Sequence, residues 1–281
     1  MFFTSINGIV REKKAFLLAG LYSVLRNLSV IDTHSHIDLP LFDDDFQVVL
    51  AAAREAGVSA QVLPGVIRNG WERILALSAA ETDLFAAIGL HPMYLSQHRE
   101  GDLAALRDIA CGGGLVALGE IGLDYYIRDG DRKGQQELFE AQIDIAKEAS
   151  LPLLLHVRKA HDQVQSILRR KNFDGGGIVH AFSGSLQQAE HYIKLGFMIS
   201  ICGTVTYDRA SRIRSVATAL PLTALVLETD SPDIPPASRH GERNTPANIV
   251  ETAMILAQLR GESFDTIVVQ TSANARQVLD L

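Results

Sequence analysis

The sequence predicts an α/β protein built as a single (β/α)8 barrel of the TIM type, with an extra segment at its N-terminus. Eight short apolar runs alternate with longer amphipathic segments from residue 30 onward. Successive runs end about 28 residues apart, the length of one strand, one helix and two loops. No linker rich in Pro, Gly or Ser interrupts the series. We therefore predict an N-terminal extension over residues 1–29 and one barrel domain over residues 30–281.

The predicted strands are short apolar runs, the pattern of strands buried in a parallel sheet. They cover residues 30–36, 60–66, 84–91, 115–123, 151–157, 177–182, 197–205 and 225–230. Apolar residues at spacings of three and four predict helices between them, as in residues 46–56, 135–149, 186–195 and 247–259. An open doubly wound sheet is the alternative, but the chain lacks the Gly-x-Gly-x-x-Gly turn that such folds often use.

Composition is that of an ordinary globular protein, with 47% hydrophobic and 21% charged residues. A formal net charge of −7 argues against a protein that coats duplex DNA regardless of sequence, but it leaves room for a locally basic cleft. Cys111 and Cys202 form no Cys-x-x-Cys motif. A reducing cytoplasm is therefore the predicted location.

The first 29 residues stand apart from this pattern. Arg11, Lys13 and Lys14 precede an apolar stretch over residues 15–25, which superficially resembles a secretory leader. That stretch is about half as long as a membrane-spanning helix requires, and no small-residue cleavage motif follows it. We predict an extra amphipathic helix or a translated leader, with no membrane association.

Histidines concentrate at the ends of the predicted strands. Of nine in the chain, His34, His36, His91, His156 and His180 fall at or near the C-terminal end of a run. In a barrel these ends open onto one face, so side chains that are distant in sequence converge there. His34 and His36 are two residues apart and would project from the same side of their strand. Both imidazoles are therefore expected to reach one ion.

Two carboxylates complete the predicted site. Glu120 lies between glycines in the fourth predicted strand, and Asp230 ends the eighth. Metal coordination removes the desolvation penalty that a lone carboxylate carries in apolar surroundings. We predict two divalent ions, one held by His34, His36, Glu120 and Asp230, the other by Glu120, His156 and His180, with Glu120 bridging.

Each of these residues also has an ordinary explanation, since a single histidine at a strand end is more often part of the core than a ligand. A His-x-His pair also arises by chance. The whole set is different, because four histidines and two acids at five of eight strand ends have no ready structural explanation. Zn, Mn and Mg all stay open, because imidazole favours transition ions whereas phosphodiester chemistry often uses Mg.

Six segments resemble, in order along the chain, the successive signatures of TatD-type deoxyribonucleases of the amidohydrolase superfamily. They are residues 30–38 (VIDTHSHID), 87–92 (AIGLHP), 119–124 (GEIGLD), 155–158 (LHVR), 180–184 (HAFSG) and 227–232 (LETDSP). Residues 183–190 and 203–207 are most similar to the bacterial YjjV branch. The resemblance implies a distorted barrel that hydrolyses DNA phosphodiester bonds with a metal-bridging hydroxide.

The resemblance also implies individual roles. It gives the same six metal ligands, and it makes Asp230, Glu120 and His91 the catalytic residues, with Asp230 taking a proton from the attacking water. His91 and Arg158 would face a substrate phosphate. Arg158 fits because it lies two residues past His156 and guanidinium pairs bidentately with phosphate. The alternative for Arg158 is an ion pair that orients a ligand carboxylate.

Residues outside the six ligands receive weaker predictions. Arg209, Arg212 and Arg214 follow the seventh predicted strand and could draw nucleic acid to the rim, although a solvated helix face is an equal alternative. Glu228 is predicted to position a ligand rather than to bind metal. Arg243 and Asn244 are predicted to anchor a loop.

Three functions compete at this point. The first is hydrolysis of DNA, single-stranded or at its ends, with no obligate protein partner. The second is hydrolysis of a small cyclic amide, lactone or phosphotriester. Many dinuclear relatives of that kind bridge their metals with a carboxylated lysine, and residues 116–124 contain no lysine. The third is a binding protein with a structural metal, which is disfavoured because structural ions usually have closed four-ligand shells away from barrel mouths.

Overall fold

Eight parallel strands form one sheet in which each strand neighbours the next along the chain. The computed structural model describes residues 29–126 and 130–281. The strands are β1 (Val30–Asp32), β2 (Val58–Gly65), β3 (Leu84–Ile88), β4 (Leu115–Asp124), β5 (Leu153–Arg158), β6 (Gly177–Val179), β7 (Phe197–Ile201) and β8 (Leu225–Leu227). All seven neighbouring pairs from β1–β2 to β7–β8 are parallel.

The first and last strands meet just beyond their C-terminal ends. Ser35 and Ser231 form a parallel bridge, and the Asp230 N–H donates to the His34 carbonyl at 2.9 Å. These contacts bring the sheet round into the predicted (β/α)8 barrel. The alternative of an open doubly wound sheet is wrong, since that fold would place β1 in the middle of the strand order.

Nine α-helices are present in the described part of the chain. They are α1 (Phe46–Glu55), α2 (Arg68–Ala80), α3 (Asp102–Gly112), α4 (Arg132–Ala149), α5 (His161–Arg170), α6 (Leu186–Lys194), α7 (Ser211–Ala219), α8 (Ile249–Arg260) and α9 (Phe264–Leu279). The four predicted helices are confirmed as α1, α4, α6 and α8, with ends that differ by at most three residues.

Helix α9 covers the N-terminal end of the barrel. Ala275 and Leu279 pack with residues of the barrel interior, such as Val62. The Asn274 amide donates to the Leu225 carbonyl, at the start of β8, at 2.7 Å. One end of the barrel is therefore filled by apolar side chains, which leaves the C-terminal end for the polar residues.

Five of the predicted strands are too long at their C-terminal ends. Strands β1, β3, β6, β7 and β8 end three or four residues before the predicted positions. Burial continues past these ends because the following loops are themselves buried, including polar residues such as His34 and Glu228. Positive φ angles of 40° at Ala181 and 59° at Asp230 are incompatible with an extended strand. His34, His36, His180 and Asp230 consequently lie in loops directly after their strands.

The predicted N-terminal extension, residues 1–29, lies outside the described residues apart from Ser29. Within the described part of the chain, no helix combines the length and the apolar character needed to cross a bilayer. The cytoplasmic location stays a prediction.

Candidate metal centre

The structure brings the two histidines that follow β1 to one point. His34 Nε2 and His36 Nε2 lie 3.2 Å apart. Both residues belong to the loop after β1 rather than to the strand, yet their rings still meet edge to face, with centroids 4.9 Å apart. Two imidazole nitrogens therefore face the same space at the barrel mouth.

Asp32, the last residue of β1, ties this loop to the loop after β8. Its buried carboxylate accepts hydrogen bonds from the Thr229 N–H at 2.9 Å and the Thr229 hydroxyl at 2.5 Å, and also from the His34 N–H at 3.2 Å. Burial raises the pKa of Asp32 to about 7, although the bonds from Thr229 oppose the shift. Sequence reasoning missed this residue. The signal was an acid two positions before the first histidine, at a buried strand end.

Glu120 in β4 presents its two carboxylate oxygens to two groups of histidines. Oε2 lies 3.2 Å from His34 Nε2 and 3.8 Å from His36 Nε2. Oε1 lies 2.8 Å from His156 Nδ1 and 3.3 Å from His91 Nε2. Burial would raise the pKa of Glu120, but the surrounding imidazoles outweigh it and hold the pKa well below its usual range. Each oxygen of Glu120 therefore faces a different group of histidines.

Glycines on either side of Glu120 allow this close approach. A Cβ atom on Gly119 would lie 2.5 Å from Leu154 Cβ, and one on Gly122 would lie 2.0 Å from the His156 carbonyl oxygen. Gly122 also has a φ of 144°, which side chains disfavour. Strands β4 and β5 can therefore lie close enough to place Glu120 and His156 side by side.

Asp230 faces His34 and His36 with one carboxylate oxygen and His180 with the other. Its Oδ1 lies 3.8 Å from His34 Nε2 and 3.7 Å from His36 Nε2, and its Oδ2 lies 3.7 Å from His180 Nε2. Its φ of 59° is uncommon for a residue other than glycine. Such backbone strain is found mainly at functional sites, where the surrounding structure holds it in place.

Two buried carboxylates, of Glu228 and Asp124, contact the second ring nitrogens of His180 and His156. His180 Nδ1 lies 3.0 Å from Glu228 Oε1, on the opposite side of the ring from the nitrogen that faces Asp230. His156 Nε2 lies 3.0 Å from Asp124 Oδ2, while its other nitrogen faces Glu120. A carboxylate behind an imidazole orients the ring and raises its basicity as a ligand. Sequence reasoning predicted this role for Glu228 but missed Asp124, which is the last residue of β4.

His91 has a different position from the other four histidines. Its Nδ1 accepts a hydrogen bond from the Met93 N–H at 3.1 Å, so the proton of the neutral ring sits on Nε2. That nitrogen lies 3.3 Å from Glu120 Oε1, where it can donate to the carboxylate. His91 is buried and does not line the cavity described below. His91 therefore lies beside Glu120 and not on the surface that a substrate would meet.

Donor atoms come close enough to one another to hold metal ions. Three sets each lie within 4.8 Å of one another, namely His34, His36 and Asp230; His34, His180 and Glu228; and His91, Glu120 and His156. Burial lowers the pKa of His36 to about 3 and also lowers that of His34. Both rings are therefore neutral, which is the form that binds metal. Buried neutral imidazoles around buried carboxylates suit a divalent cation.

We expect the affinity for divalent metal to rise with pH between about pH 6 and 9. Burial raises the pKa of Asp230 to about 8. Burial would lower the pKa of His180, but the carboxylates of Glu228 and Asp230 outweigh it and raise the pKa to about 10. Both groups therefore hold protons at neutral pH when no metal is bound. Because ligands bind metal in their deprotonated form, each ion must displace these protons, and higher pH removes the competition.

Isothermal titration calorimetry in buffers of different ionisation enthalpy measures both the affinity and the protons released. Asp230→Asn should release about one proton fewer per chain than the wild type. An affinity that stays constant or falls as the pH rises would contradict the expectation.

A cavity of about 810 Å³ opens onto this cluster. His156, His180 and Asp230 form part of its wall, and the predicted substrate-binding residues Arg158 and Arg209 line it as well. Arg212 also lines it, and the side chains of all three arginines are exposed. The chain is acidic overall, yet this mouth carries three cationic side chains next to the donor cluster, against one exposed acid, Asp233.

The position of Arg214 contradicts its predicted grouping with Arg209 and Arg212 at the rim. Its guanidinium turns back to donate to the Val205 carbonyl at 3.1 Å and lies 3.4 Å from Asp208. It is half-buried and does not line the cavity. The physical reason is its helical position, since Arg214 projects from a different face of α7 than Arg212, two residues earlier.

The residues Arg243 and Asn244 hold the loop after β8 in place. Arg243 pairs with Asp45 and donates to the Leu41 carbonyl at 2.7 Å. The Asn244 amide donates to the Thr229 carbonyl at 2.9 Å. Their contacts are those of loop anchors, beside the segment that carries Asp230.

A parallel eight-stranded barrel with buried histidines and carboxylates at the C-terminal ends of its strands is the architecture of a metal-dependent hydrolase. The comparisons with known proteins support that class. The family model described as TatD related DNase matches residues 31–280. The chain therefore belongs to the TatD family of metal-dependent hydrolases, as the sequence motifs predicted.

Two bacterial proteins illustrate the sequence similarity to the relatives. The chain is 41% identical over 239 residues to YjjV of Escherichia coli K12, described as an uncharacterized metal-dependent hydrolase, and the match covers 84% of this chain and 92% of YjjV. It is 32% identical over 247 residues to the 3'-5' ssDNA/RNA exonuclease TatD of Erwinia tasmaniensis, covering 85% of this chain and 95% of that protein.

The fold agrees with this assignment. The crystal structure of YjjV, a TatD homologue from Escherichia coli K12, matches with a TM-score of 0.87 and 39% identity, covering 90% of this chain and 98% of that one. The predicted similarity to the YjjV branch is thereby confirmed. A hydrolase of the TatD family from Entamoeba histolytica has the same fold, with a TM-score of 0.80 at 21% identity over 89% of this chain and 97% of that one.

Proposed function

We propose that this chain is a deoxyribonuclease that hydrolyses phosphodiester bonds in DNA, acting on single strands or on strand ends. The observation that carries the proposal is the juxtaposition of Arg158, Arg209 and Arg212 with His156, His180 and Asp230 in one open cavity. Cationic side chains beside a metal centre suit an anionic substrate better than a neutral cyclic amide or lactone. The name of the Erwinia tasmaniensis relative, an exonuclease of single-stranded DNA and RNA, supports the same substrate class.

Two divalent ions, Zn, Mn or Mg, complete the proposed site. His34, His36, Glu120 and Asp230 would hold one ion, and Glu120, His156 and His180 would hold the other. Support for this assignment comes from the two oxygens of Glu120, since Oε2 lies 3.2 Å from His34 Nε2 whereas Oε1 lies 2.8 Å from His156 Nδ1 and 3.9 Å from His180 Nε2. When bound, the ions would supply Lewis-acid polarisation of the phosphate and a lowered pKa for the attacking water.

The side chains of the protein position the reacting groups around this chemistry. Asp230 projects into the cavity from a strained backbone, where it can accept the proton of the attacking water. Arg158 lies on the cavity wall, where its guanidinium can pair with phosphate oxygens as charge develops on them. Asp124 and Glu228 keep His156 and His180 oriented. Arg158 forms no ion pair within 4 Å among the described residues, although its charge contributes to the lowered pKa of Asp124.

A nuclease assay with end-labelled single-stranded DNA tests the proposal. We expect release of nucleotides that stops with a chelator and returns when a divalent ion is added. A cyclic amide, a lactone and a phosphotriester serve as comparison substrates. Metal-dependent turnover of one of these, with no cleavage of DNA under any of the three ions, would replace the proposal with the second candidate.

Within the same assay, Arg158→Gln is expected to lower kcat/KM for DNA by about 10- to 100-fold. The variant removes the guanidinium but keeps a polar side chain at the cavity wall. Arg169→Gln, in the exposed last turn of α5, loses the same charge far from the cavity and is the matched control. Equal activity of the two variants would show that Arg158 does not contact the substrate.

A further inference from the structure

A second cavity, of about 630 Å³, adjoins the one at the metal centre. Arg158, Ser183 and Arg212 line both cavities, so the two spaces share a wall. Lys159 and His161 line the second cavity only. A ligand seated at the metal centre and extended past Arg158 would therefore enter this second space.

His161, the first residue of α5, is buried in the wall of the second cavity with its polar atoms unpaired. It is 7% exposed, and neither ring nitrogen has a hydrogen-bond partner among the described residues. The ring packs against Phe182 and Tyr192, with centroids 5.1 and 5.9 Å away. Burial lowers its pKa to about 4, so the neutral ring has one N–H to donate. A buried donor without a partner carries a free-energy penalty, so the ring is held in the wall at a cost to stability.

The start of α5 adds backbone donors to the same wall. No side chain caps the helix at Ala160, so the first N–H groups of α5 lack acceptors within the helix. They carry partial positive charge, which favours an anion. The neighbouring helix α6 contrasts with it, because Ser185 and Gln188 form a capping box there.

The exposed charges around the second cavity are mainly positive. Arg158, Lys159 and Arg212 contribute three cations, and none of them forms an ion pair within residues 29–126 and 130–281. Asp162 is the opposing charge, and its carboxylate accepts a hydrogen bond from the Gln188 amide at 2.8 Å. This balance is the reverse of that of the whole chain, whose net charge is −7.

An exposed aromatic ring stands at the edge of the second cavity. Tyr126 is 58% exposed, and the Arg158 guanidinium lies 3.8 Å from the centre of its ring. Its N–H is bound by Asp124 at 2.9 Å, which fixes the backbone from which the ring projects. Exposed aromatic rings beside cationic grooves are the platforms on which unpaired bases stack.

We propose that the second cavity is a subsite for the nucleotide next to the scissile phosphate of a single DNA strand. The phosphate of that nucleotide lies against Lys159 and the start of α5, and its base stacks on Tyr126. The proposal rests on the proposed nuclease function and narrows it to strands of several nucleotides with unpaired bases.

Two substrates separate the subsite from the metal centre. Oligothymidylate would occupy both cavities, whereas the p-nitrophenyl ester of thymidine monophosphate would occupy only the first. We expect Tyr126→Ala to lower kcat/KM for oligothymidylate about five-fold or more and to affect that for the ester far less, through its contact with Arg158 alone. Lys159→Gln should reduce the slope of log kcat/KM against log salt by about 0.7, the loss of one phosphate contact on a single strand.

Matched variants make the test decisive. Lys194→Gln, at the exposed end of α6, removes the same charge as Lys159→Gln and should leave the salt slope unchanged. Asp162→Asn removes the opposing charge and should raise kcat/KM for oligothymidylate, which keeps a readout if a weakening variant fails to fold. Thermal melting monitors the folding of each variant.

The outcomes distinguish the two proposals. A wild-type protein that cleaves oligothymidylate, with variants that change both substrates equally or neither, would overturn the subsite and leave the nuclease function standing. A wild-type protein that hydrolyses neither substrate with any of the three metals would overturn the nuclease function, and the subsite with it.

Discussion

Asp230→Asn is expected to lower the rate of DNA hydrolysis by roughly 10³- to 10⁴-fold while leaving the barrel folded. The substitution keeps the size of the side chain but removes both its charge and its capacity to accept a proton. Asp230 lies 3.7 Å from both His36 Nε2 and His180 Nε2 and is part of the cavity wall. The same change therefore weakens a metal ligand and removes the proposed proton acceptor.

The measurement is kcat at saturating DNA and saturating metal, so that weaker metal binding does not by itself account for the loss. Asp174→Asn is the matched control, because Asp174 is exposed in the segment before β6, away from the cavity. A variant at Asp230 that keeps kcat within about ten-fold of the wild type would exclude a proton-accepting role, since such roles are worth more.

Glu120→Gln is expected to remove bound metal from both positions and to lower activity at least about a thousand-fold. Glu120 directs Oε2 to His34 and His36 and Oε1 to His156 and His91, with the shortest of these contacts at 2.8 Å. An amide presents one oxygen and one NH₂ group, so one of the two groups would meet a donor instead of an acceptor. Removal of its charge would also leave the buried ions without a shared anion.

Metal content per chain, measured by mass spectrometry after gel filtration, separates a shared ligand from an unshared one. Glu120→Gln should lose metal from both positions, whereas His156→Gln should lose it chiefly from the position that Oε1 faces. Glu190→Gln, exposed on α6, is the charge-matched control. Full metal content in Glu120→Gln would contradict the bridging role.

The fold could be predicted largely from local periodicity. The spacing of apolar residues placed α1, α4, α6 and α8 within three residues of their observed ends, because this spacing is set by the backbone geometry of each helix. The ends of β1 and β8 could not be predicted in this way. The residues directly after Asp32 and Leu227 are polar, yet the closed barrel buries most of them as deeply as the strands, so burial does not mark where the strand ends.

Sequence reasoning predicted most residues of the candidate site but not the contacts between them. His34, Glu120 and Asp230 could be chosen because histidines and acids at successive strand ends converge in any parallel barrel. Asp32 and Asp124 were missed because each looks like an ordinary strand-end acid until its partner is known. Those partners are distant in sequence: Thr229 for Asp32 and His156 for Asp124.

By itself, then, the sequence determined which chemical groups stand at each strand end, since the identity of a residue and its place in a local repeat are both carried by the chain. Only the tertiary structure decided which atom faces which. Glu120 turns one oxygen to each group of histidines, His156 divides its nitrogens between Glu120 and Asp124, and His161 is left without a partner. These contacts depend on the closure of the barrel, which brings residues as far apart as Asp32 and Thr229 within hydrogen-bond distance. No pattern of near neighbours along the chain contains that information.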